Sequence, residues 1–302
     1  MNLLITGGCG HIGSHLIKSL GKIHNITVVD NMLTQRYCSL FNLETPIKFI
    51  EKDIKDLKSK DLEDIDIVIH LAAITNAAGS FNNKEEVEKI NFEQTKDFID
   101  LCQSMSCKFI FPSSTSVYGV AADIVYEDED KFLNPQSPYA ESKIKIENYI
   151  KENSDCYLIL RFGTIFGVSE GMRFHTAVNK FCYEASLGLP LTVWKQNYNQ
   201  YQPYLGLKDA IKALTYFIEI NQLSHKYWNE TYNVLTGNYK LEEIVKYISE
   251  MMKVKLNMVN TPLLNQFSYK VSDEKIRNVG FEPDEDLKDN IIRTLRTLRN
   301  LK

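Results

Sequence analysis

The sequence has no long apolar run, and its charges are nearly balanced. No stretch approaches the roughly 20 consecutive apolar residues that a membrane-spanning helix needs. The 39 acidic residues outnumber the 35 lysines and arginines, for a formal net charge of -4, which disfavours a nucleic-acid surface or a polybasic membrane patch. The opening MNLLITGG carries no charged segment, so a signal peptide is not expected. We expect neither a nucleic-acid partner nor a membrane partner.

The sequence also lacks a cysteine pattern typical of disulfides or metal sites. The six cysteines are scattered, mostly within apolar stretches: Cys9, Cys38, Cys102, Cys107, Cys156 and Cys182. The pair formed by Cys102 and Cys107 has no matching His or Cys pair elsewhere that would complete a zinc site. We therefore expect reduced thiols in a cytoplasmic protein and no bound metal.

Apolar segments and helical segments alternate through the first half of the chain. Continuously apolar runs, typical of strands buried on both faces, predict strands at residues 3–6, 26–30, 48–51, 67–71, 108–112 and 157–162. Capped or amphipathic stretches predict helices at 11–21, 84–105 and 137–153. Strands and helices that alternate over short links predict an α/β fold with a doubly wound parallel sheet of the Rossmann type.

The pattern changes after residue 162. A helix is predicted near 174–186, strands at 191–194, 231–235 and 256–259, and further helix from residue 240, with a polar loop before residue 205. We predict a Rossmann domain of residues 1–166, to which a strand and a helix near 205–236 return. A smaller C-terminal α/β lobe, formed by 167–204 and 237–302, would bind the substrate.

A glycine-rich loop follows the first predicted strand. Gly7, Gly10 and Gly13 lie between that strand and a helix, where glycine permits a tight turn and lets the backbone approach a diphosphate at the helix N-terminus. Asp30 ends the second strand, and a carboxylate there can bind both ribose hydroxyls of adenosine and repel a 2′-phosphate. No arginine flanks Asp30 closely, the nearest being Arg36. The pattern therefore predicts NAD as the cofactor.

A tyrosine and a lysine lie four residues apart at the start of the helix predicted at 137–153. Tyr139 and Lys143 share one helix face at this spacing, and a lysine cation beside a phenol lowers the pKa of that phenol. A phenolate so placed can take the hydroxyl proton of an alcohol while hydride leaves its carbon. The hydroxyl-rich turn 113–116 follows a strand, at the sheet edge where ligands of such folds bind. A serine in this turn can orient the reacting oxygen.

Together these motifs resemble the extended short-chain dehydrogenase/reductase family, and within it the nucleotide-sugar epimerases and dehydratases. The matches are TGGxGxIG at 6–13, DN at 30–31, DI at 53–54, HLAA at 70–73, Asn91, the Ser114 turn, the Tyr139/Lys143 pair and LRF at 160–162. The resemblance implies that Ser114, Tyr139 and Lys143 are catalytic. It implies a cofactor site of Gly7, Gly10, His11, Ile12, Gly13, Asp30, Asn31, Asp53, Ile54, Leu71, Ala72, Ala73, Asn91, Tyr139, Lys143 and Phe162, with Asp53 and Ile54 at the adenine and Phe162 near the nicotinamide.

The turn that contains Ser114 separates two reactions of this family. Hexose 4,6-dehydratases resemble STDEVYG there, and their Asp/Glu pair moves protons during water loss. The equivalent residues here are Thr115 and Ser116, which cannot act as that acid and base, whereas the 4-epimerases resemble SSATVYG. Epimerisation is therefore favoured: bound NAD oxidises a sugar hydroxyl to a transient ketone, which turns and takes the hydride back on its other face.

The substrate side departs from the family pattern. Thr164 stands where RxxNxxG has asparagine, Gln202 stands where many members have a phosphate-binding arginine, and no second arginine occurs near 265–269. Arg173 is a candidate replacement because arginine suits phosphate geometry. The predicted substrate-binding residues are Thr75, Ser116, Thr164, Arg173 and His175. The sugar, its nucleotide and the inverted carbon stay open.

Two other functions are alternatives on the same fold. One is an NAD(P)-dependent sugar dehydrogenase or reductase, which would use the same Ser/Tyr/Lys residues and release its cofactor each cycle. The other is a dinucleotide sensor without catalysis, but such proteins commonly lack the Tyr/Lys pair that this chain keeps. The resemblance also implies a homodimer formed through the helices at 84–105 and 137–153. Their apolar positions, which would equally suit packing on their own sheet, are Val87, Ile90, Phe98, Ile99, Ile144, Ile146, Tyr149 and Ile150.

Overall fold

A computed structural model of the chain describes residues 1–119, 124–128, 130–220, 225–260 and 269–300. Its strands are β1 (Asn2–Thr6), β2 (Asn25–Asp30), β3 (Lys48–Glu51), β4 (Ile67–His70), β5 (Lys108–Ser114), β6 (Ile124–Val125), β7 (Tyr157–Phe162), β8 (Thr164–Phe166), β9 (Leu191–Trp194), β10 (Tyr201–Gly206), β11 (Glu230–Val234), β12 (Gly237–Lys240), β13 (Leu256–Val259) and β14 (Lys270–Val271). Its helices are α1 (His11–Leu20), α2 (Lys84–Val87), α3 (Thr95–Ser104), α4 (Pro138–Asn153), α5 (Ala177–Ser186), α6 (Leu207–Ile220), α7 (Leu241–Met251), α8 (Glu274–Asn278) and α9 (Leu287–Leu298).

Seven of the strands form one parallel sheet in the order β11-β7-β5-β4-β1-β2-β3. One face packs against α1 and α6, through side chains such as Leu16 and Phe217. The other face packs against α3 and α4, through side chains such as Phe98 and Ile146. Because both faces are covered, the strands are continuously apolar. The predicted α/β fold with a doubly wound parallel sheet is confirmed.

A second group of elements packs beside the carboxyl ends of these strands. Helices α5, α7 and α9 share an apolar core with β9, centred on residues such as Phe181, Leu191 and Ile248. Two small sheets accompany it, in the orders β12-β10-β8 and β13-β9. A polar loop was predicted for residues 195–202, but β10 begins within this stretch at Tyr201. Helix α5 begins at Ala177, three residues later than predicted.

The two long helical stretches turn their apolar residues inward. Of the eight positions considered for a dimer, Val87, Phe98, Ile99, Ile146 and Ile150 are buried in the chain's own core. The outer face carries charged residues, and Lys145 pairs there with Glu88 within the chain. In the described ranges, no helix is both long enough and apolar enough to cross a membrane.

Candidate active site

A cavity of about 490 Å³ lies where the carboxyl ends of β1, β2, β4, β5 and β7 face α5, β9 and β10. Ligands of open parallel sheets bind at this edge. The cavity brings together all of the predicted site residues except Asn91. The residues predicted from three separate motifs, the glycine loop, the Ser114 turn and the Tyr139/Lys143 pair, therefore meet in one space.

Asn91 lies behind the cavity wall instead of lining it. Its side-chain oxygen accepts a hydrogen bond from the backbone N of Ile74 (2.8 Å), and its nitrogen donates to the carbonyl oxygen of Ile74 (2.9 Å). The helical stretch that carries Asn91 widens to a π-helical segment over Glu88–Gln94, a feature common near functional sites. Asn91 was expected to line the cofactor groove. In the structure, the oxygen and the nitrogen of its side-chain amide both bind Ile74 and so hold the loop after β4.

The glycine loop leaves no room for side chains against the sheet. Gly7 has a φ of +64°, and a Cβ there would lie 2.7 Å from the backbone N of Ala72. A Cβ on Gly13 would lie 2.5 Å from the Cα of Gly8. Gly10 precedes the first residue of α1, whose first turn contains no acid. The free amides of that helix end suit the diphosphate of a dinucleotide.

Asp30 and Asp53 lie beside this loop and are held in place by backbone amides. The Asp30 carboxylate accepts hydrogen bonds from the backbone N of Cys9 (3.0 Å) and of Met32 (2.9 Å), which leaves a lone pair on each oxygen for a ribose hydroxyl. Asp53 accepts from the side chain of Asn31 (3.1 Å). A buried nitrogen of Arg36, Nη1, has no hydrogen-bond partner among the described residues. These residues fit NAD.

Tyr139, Ser114 and Lys143 meet at the other end of the cavity. Ser137 caps α4 by accepting from the backbone N of Ala140 (3.2 Å), which fixes the first turn that carries Tyr139. The hydroxyl of Ser114 lies close enough to the phenol of Tyr139 to lower its pKa, and both side chains line the cavity. Lys143 is buried and donates from Nζ to the carbonyl oxygen of Pro112 (3.0 Å). The predicted trio is thus assembled from β5 and α4.

The electrostatics of this trio differ from the expectation. Burial raises the pKa of Tyr139, while the nearby hydroxyl of Ser114 and the charge of Arg173 act in the opposite direction. Burial also lowers the pKa of Lys143 to about 8, against a raising effect of Glu147. The sequence analysis expected Lys143 to lower the pKa of the phenol, but in the protein alone desolvation dominates and the cation that acts on Tyr139 is Arg173.

A buried ionic network supports α4 from behind. Glu147 accepts hydrogen bonds from Arg161 on β7, at 2.6 Å for Oε2 to Nη2, and from the hydroxyl of Ser113 on β5. Both charged side chains are only 1% exposed. The network joins α4 to the two strands whose ends carry Ser114 and Phe162, so it fixes the depth at which Tyr139 and Lys143 enter the cavity.

The rest of the cavity is lined by neutral polar groups and by residues of the C-terminal elements. The hydroxyls of Thr75 and Ser116 are buried and lack a partner within the described ranges. The Thr115 hydroxyl donates to the carbonyl oxygen of Phe162 (3.3 Å), and it lies close enough to Tyr269 to lower the pKa of that phenol against the raising effect of burial. Several lining residues were not predicted from the sequence: Arg36, Lys180, Thr192, Leu241 and Tyr269. No local pattern marks most of them, because their place depends on how the smaller sheets pack against the large one.

Comparisons with known proteins agree with this geometry. The profile of the NAD dependent epimerase/dehydratase family matches residues 3–234. An uncharacterized UDP-glucose epimerase of Bacillus subtilis is 30% identical, over 71% of this chain and 72% of its own. A human dTDP-D-glucose 4,6-dehydratase is 28% identical, over 98% of this chain and 89% of its own. The crystal structure of UDP-glucuronic acid 4-epimerase from Bacillus cereus, in complex with UDP-glucuronic acid and NAD, superposes with a TM-score of 0.90 at 25% identity and full coverage of both chains.

Proposed function

Because this chain belongs to the NAD dependent epimerase/dehydratase family, we propose that it is an NAD-dependent nucleotide-sugar epimerase. It oxidises a sugar hydroxyl transiently to a ketone and returns the hydride to the other face. One observation carries the choice of reaction. Among the described residues that line the cavity, the carboxylates are Asp30 and Asp53, and both belong to the cofactor end. Thr115 and Ser116 stand beside Tyr139, so the acid and base that water elimination needs are missing there.

The chain's own residues supply orientation and proton transfer. Tyr139 accepts the hydroxyl proton of the sugar and later gives it back, and Ser114, which lines the same cavity, would orient the reacting oxygen with its hydroxyl. Lys143 places a positive charge on the same side of α4 and lies 5.8 Å from the centre of the Tyr139 ring. When bound, NAD supplies the acceptor and donor of the hydride.

The nucleotide end of the substrate is assigned to the C-terminal elements. Lys180, Thr192 and Trp194 line the cavity there, and they offer a cation for a phosphate, a hydroxyl and a flat ring for a base. Thr75, Ser116 and Thr164 would face the sugar. Since the Bacillus cereus enzyme was crystallised with UDP-glucuronic acid, UDP-linked sugars are the substrates to test first.

A homodimer and a cytoplasmic location are also proposed. Free cysteines at all six positions support the second. The outer face of the two helical stretches carries charged residues such as Lys145 and Glu88, so the mass of the protein in solution must be measured. Light scattering at micromolar concentration decides: twice the chain mass supports the dimer, and the mass of a single chain of 34.8 kDa contradicts it.

The test of the function begins with the purified protein. It is denatured, and the supernatant is analysed by mass spectrometry for NAD and for nucleotide sugars. Intact protein is then incubated with UDP-glucose, UDP-galactose or UDP-glucuronic acid without added cofactor, and the products are separated by chromatography. Conversion to the epimer without net NADH formation supports the proposal. Stoichiometric formation of NADH that depends on added NAD would instead identify the dehydrogenase.

A further inference from the structure

A short segment after β8 lies directly on the glycine loop. We call residues 167–173 the strap. The Nε2 of His11 donates to the carbonyl oxygen of Gly167 (2.9 Å), the hydroxyl of Ser169 donates to the carbonyl oxygen of His11 (2.8 Å), and the backbone N of Gly171 donates to the hydroxyl of Ser14 (3.1 Å). Burial lowers the pKa of His11 to about 4, so its imidazole is neutral at pH 7. Three hydrogen bonds therefore fasten the strap to the start of α1.

The strap is also held from outside and fits only with a glycine at its centre. Glu170 forms an ion pair with Lys18 of α1, and its carbonyl oxygen accepts from the thiol of Cys38 (3.6 Å). A Cβ on Gly171 would lie 2.4 Å from the carbonyl oxygen of Gly10. Since that neighbour is backbone, it could not move aside without shifting the glycine loop. The strap and the loop that is expected to cradle the cofactor are thus fitted to each other.

Arg173, at the end of the strap, faces the same cavity as Arg36. Neither guanidinium forms a hydrogen bond or an ion pair with another described residue, and Nη1 of Arg36 is buried. Burial, and then repulsion by Arg36, lower the pKa of Arg173. Two like charges that share a cavity wall and have no ion-pair partner among the described residues are stabilised when an anion binds beside both.

The position of Arg173 identifies which anion. Arg173 lines the cavity that also contains Tyr139 and Asp30, both of which lie close enough to influence its pKa. It follows Gly171, which lies against Gly10 of the glycine loop. In a dinucleotide, the group between the adenosine ribose and the nicotinamide half is the diphosphate. The amides at the N-terminus of α1 face the same region, because Gly10 contacts Gly171 of the strap.

We propose that Arg36 and Arg173 bind the diphosphate of NAD, and that the strap holds this cofactor on the protein through successive turnovers. The inference rests on the proposed cofactor and reassigns Arg173, which the sequence analysis gave to the substrate. A cofactor held in this way suits an epimerase, which regenerates its NAD within each turnover. A dehydrogenase must release its cofactor after each turnover. Lys180 would then bind the phosphates of the substrate without help from Arg173.

The test measures cofactor exchange rather than activity. Full-length protein loaded with NAD is mixed with an excess of isotopically labelled NAD, and the bound fraction is sampled over time by mass spectrometry. The variants are Arg173→Met, Arg36→Met and Gly171→Ala. Arg296→Met is the matched control, because Arg296 is exposed on α9 and does not line the cavity. We expect exchange to be about 10- to 100-fold faster in the two arginine variants, from loss of a charge-assisted contact. It should also be faster in Gly171→Ala, whose added Cβ would displace the glycine loop, and unchanged in the control.

Equilibrium binding then separates the two possible anions. With cofactor-free protein, Arg173→Met should weaken NAD and ADP by the same factor and leave adenosine and UDP unaffected. Weaker UDP binding with normal NAD and ADP binding would overturn the proposal, as would exchange within threefold of the unmodified protein. Because Arg173 has no ion-pair partner to lose, the unfolding temperature without cofactor should not fall. Failure of epimerisation with slow NAD exchange intact would contradict the proposed reaction and leave the strap supported.

Discussion

The Nζ of Lys143 lies 5.8 Å from the centre of the Tyr139 ring, and its hydrogen bond goes to a backbone carbonyl, that of Pro112. Lys143 is therefore tied to the end of β5 in the protein alone. Because burial lowers the pKa of Lys143 to about 8, its ammonium is present below that pH and is lost as the pH rises through it. This sets an upper pH limit on any step that needs the cation.

We expect kcat/KM of the epimerase to fall as the pH rises above about 8. The Glu147→Gln variant should move this decline to lower pH, because the charge of Glu147 raises the pKa of Lys143. The measurement is the pH profile of kcat/KM over the alkaline range. Glu141→Gln, an exposed acid on the same helix, is the control and should leave the profile unchanged. A profile that Glu147→Gln does not move would contradict the role of this carboxylate.

Removing the phenol hydroxyl should stop the chemistry and spare the cofactor. Tyr139→Phe keeps the ring at the cavity but cannot exchange a proton with the sugar, so we expect kcat to fall by about 10²- to 10⁴-fold. The NAD content of the purified variant should match that of the unmodified protein. Tyr149→Phe is a suitable control, since its hydroxyl bonds Asp100 outside the cavity. A near-normal rate for Tyr139→Phe would remove Tyr139 from its assigned role.

Much of the fold and site could be predicted because the signals are local. The strands of the large sheet, such as β1 and β7, are continuous apolar runs, and the glycine loop and the Tyr139/Lys143 pair each lie within a few residues. The strands β8, β10 and β12 were missed because they carry polar and aromatic residues without a clean period. The strap contacts join residues that are far apart in the sequence; Ser169 and His11, for example, are separated by 158 positions. A local sequence pattern cannot predict such a contact.

The pKa expectation failed for a related reason. Helical spacing correctly predicts that Tyr139 and Lys143 share a face, but it says nothing about how deeply that face is buried. Desolvation depends on the elements packed around α4, and it raises the pKa of the phenol and lowers that of the amine. The cation that lowers the pKa of Tyr139 is Arg173, which lies 34 positions later in the sequence.

The buried pair of Glu147 and Arg161 should control stability. Arg161→Met leaves the Glu147 carboxylate buried without its partner, and we expect the free energy of unfolding to fall by about 3–5 kcal/mol. The double variant Glu147→Gln with Arg161→Met removes both charges and should recover part of this loss. Urea unfolding at one fixed NAD concentration measures both effects. A loss below about 1 kcal/mol in the single variant would show that water reaches the pair.

The choice between NAD and NADP should depend on Asp30. The Asp30 carboxylate accepts hydrogen bonds from the backbone amides of Cys9 and Met32. The Asp30→Asn variant keeps one side-chain oxygen that can accept one of these bonds, but it loses the charge that repels a 2′-phosphate. We expect NAD affinity to fall about 10- to 100-fold, from the loss of charge-assisted bonds to the ribose hydroxyls. NADP should lose less, because the carboxylate charge that repels its 2′-phosphate is gone.

The measurement for Asp30 is titration calorimetry of cofactor-free protein with both dinucleotides, and Asp64→Asn serves as the exposed-acid control. An unchanged ratio of the two affinities would mean that Asp30 acts only on the backbone amides of Cys9 and Met32. A narrowed ratio together with intact unfolding behaviour would place the ribose at Asp30. Because the strap residue Arg173 interacts with Asp30 and with Tyr139, that result would also orient the dinucleotide along the cavity, with its diphosphate at the arginine pair.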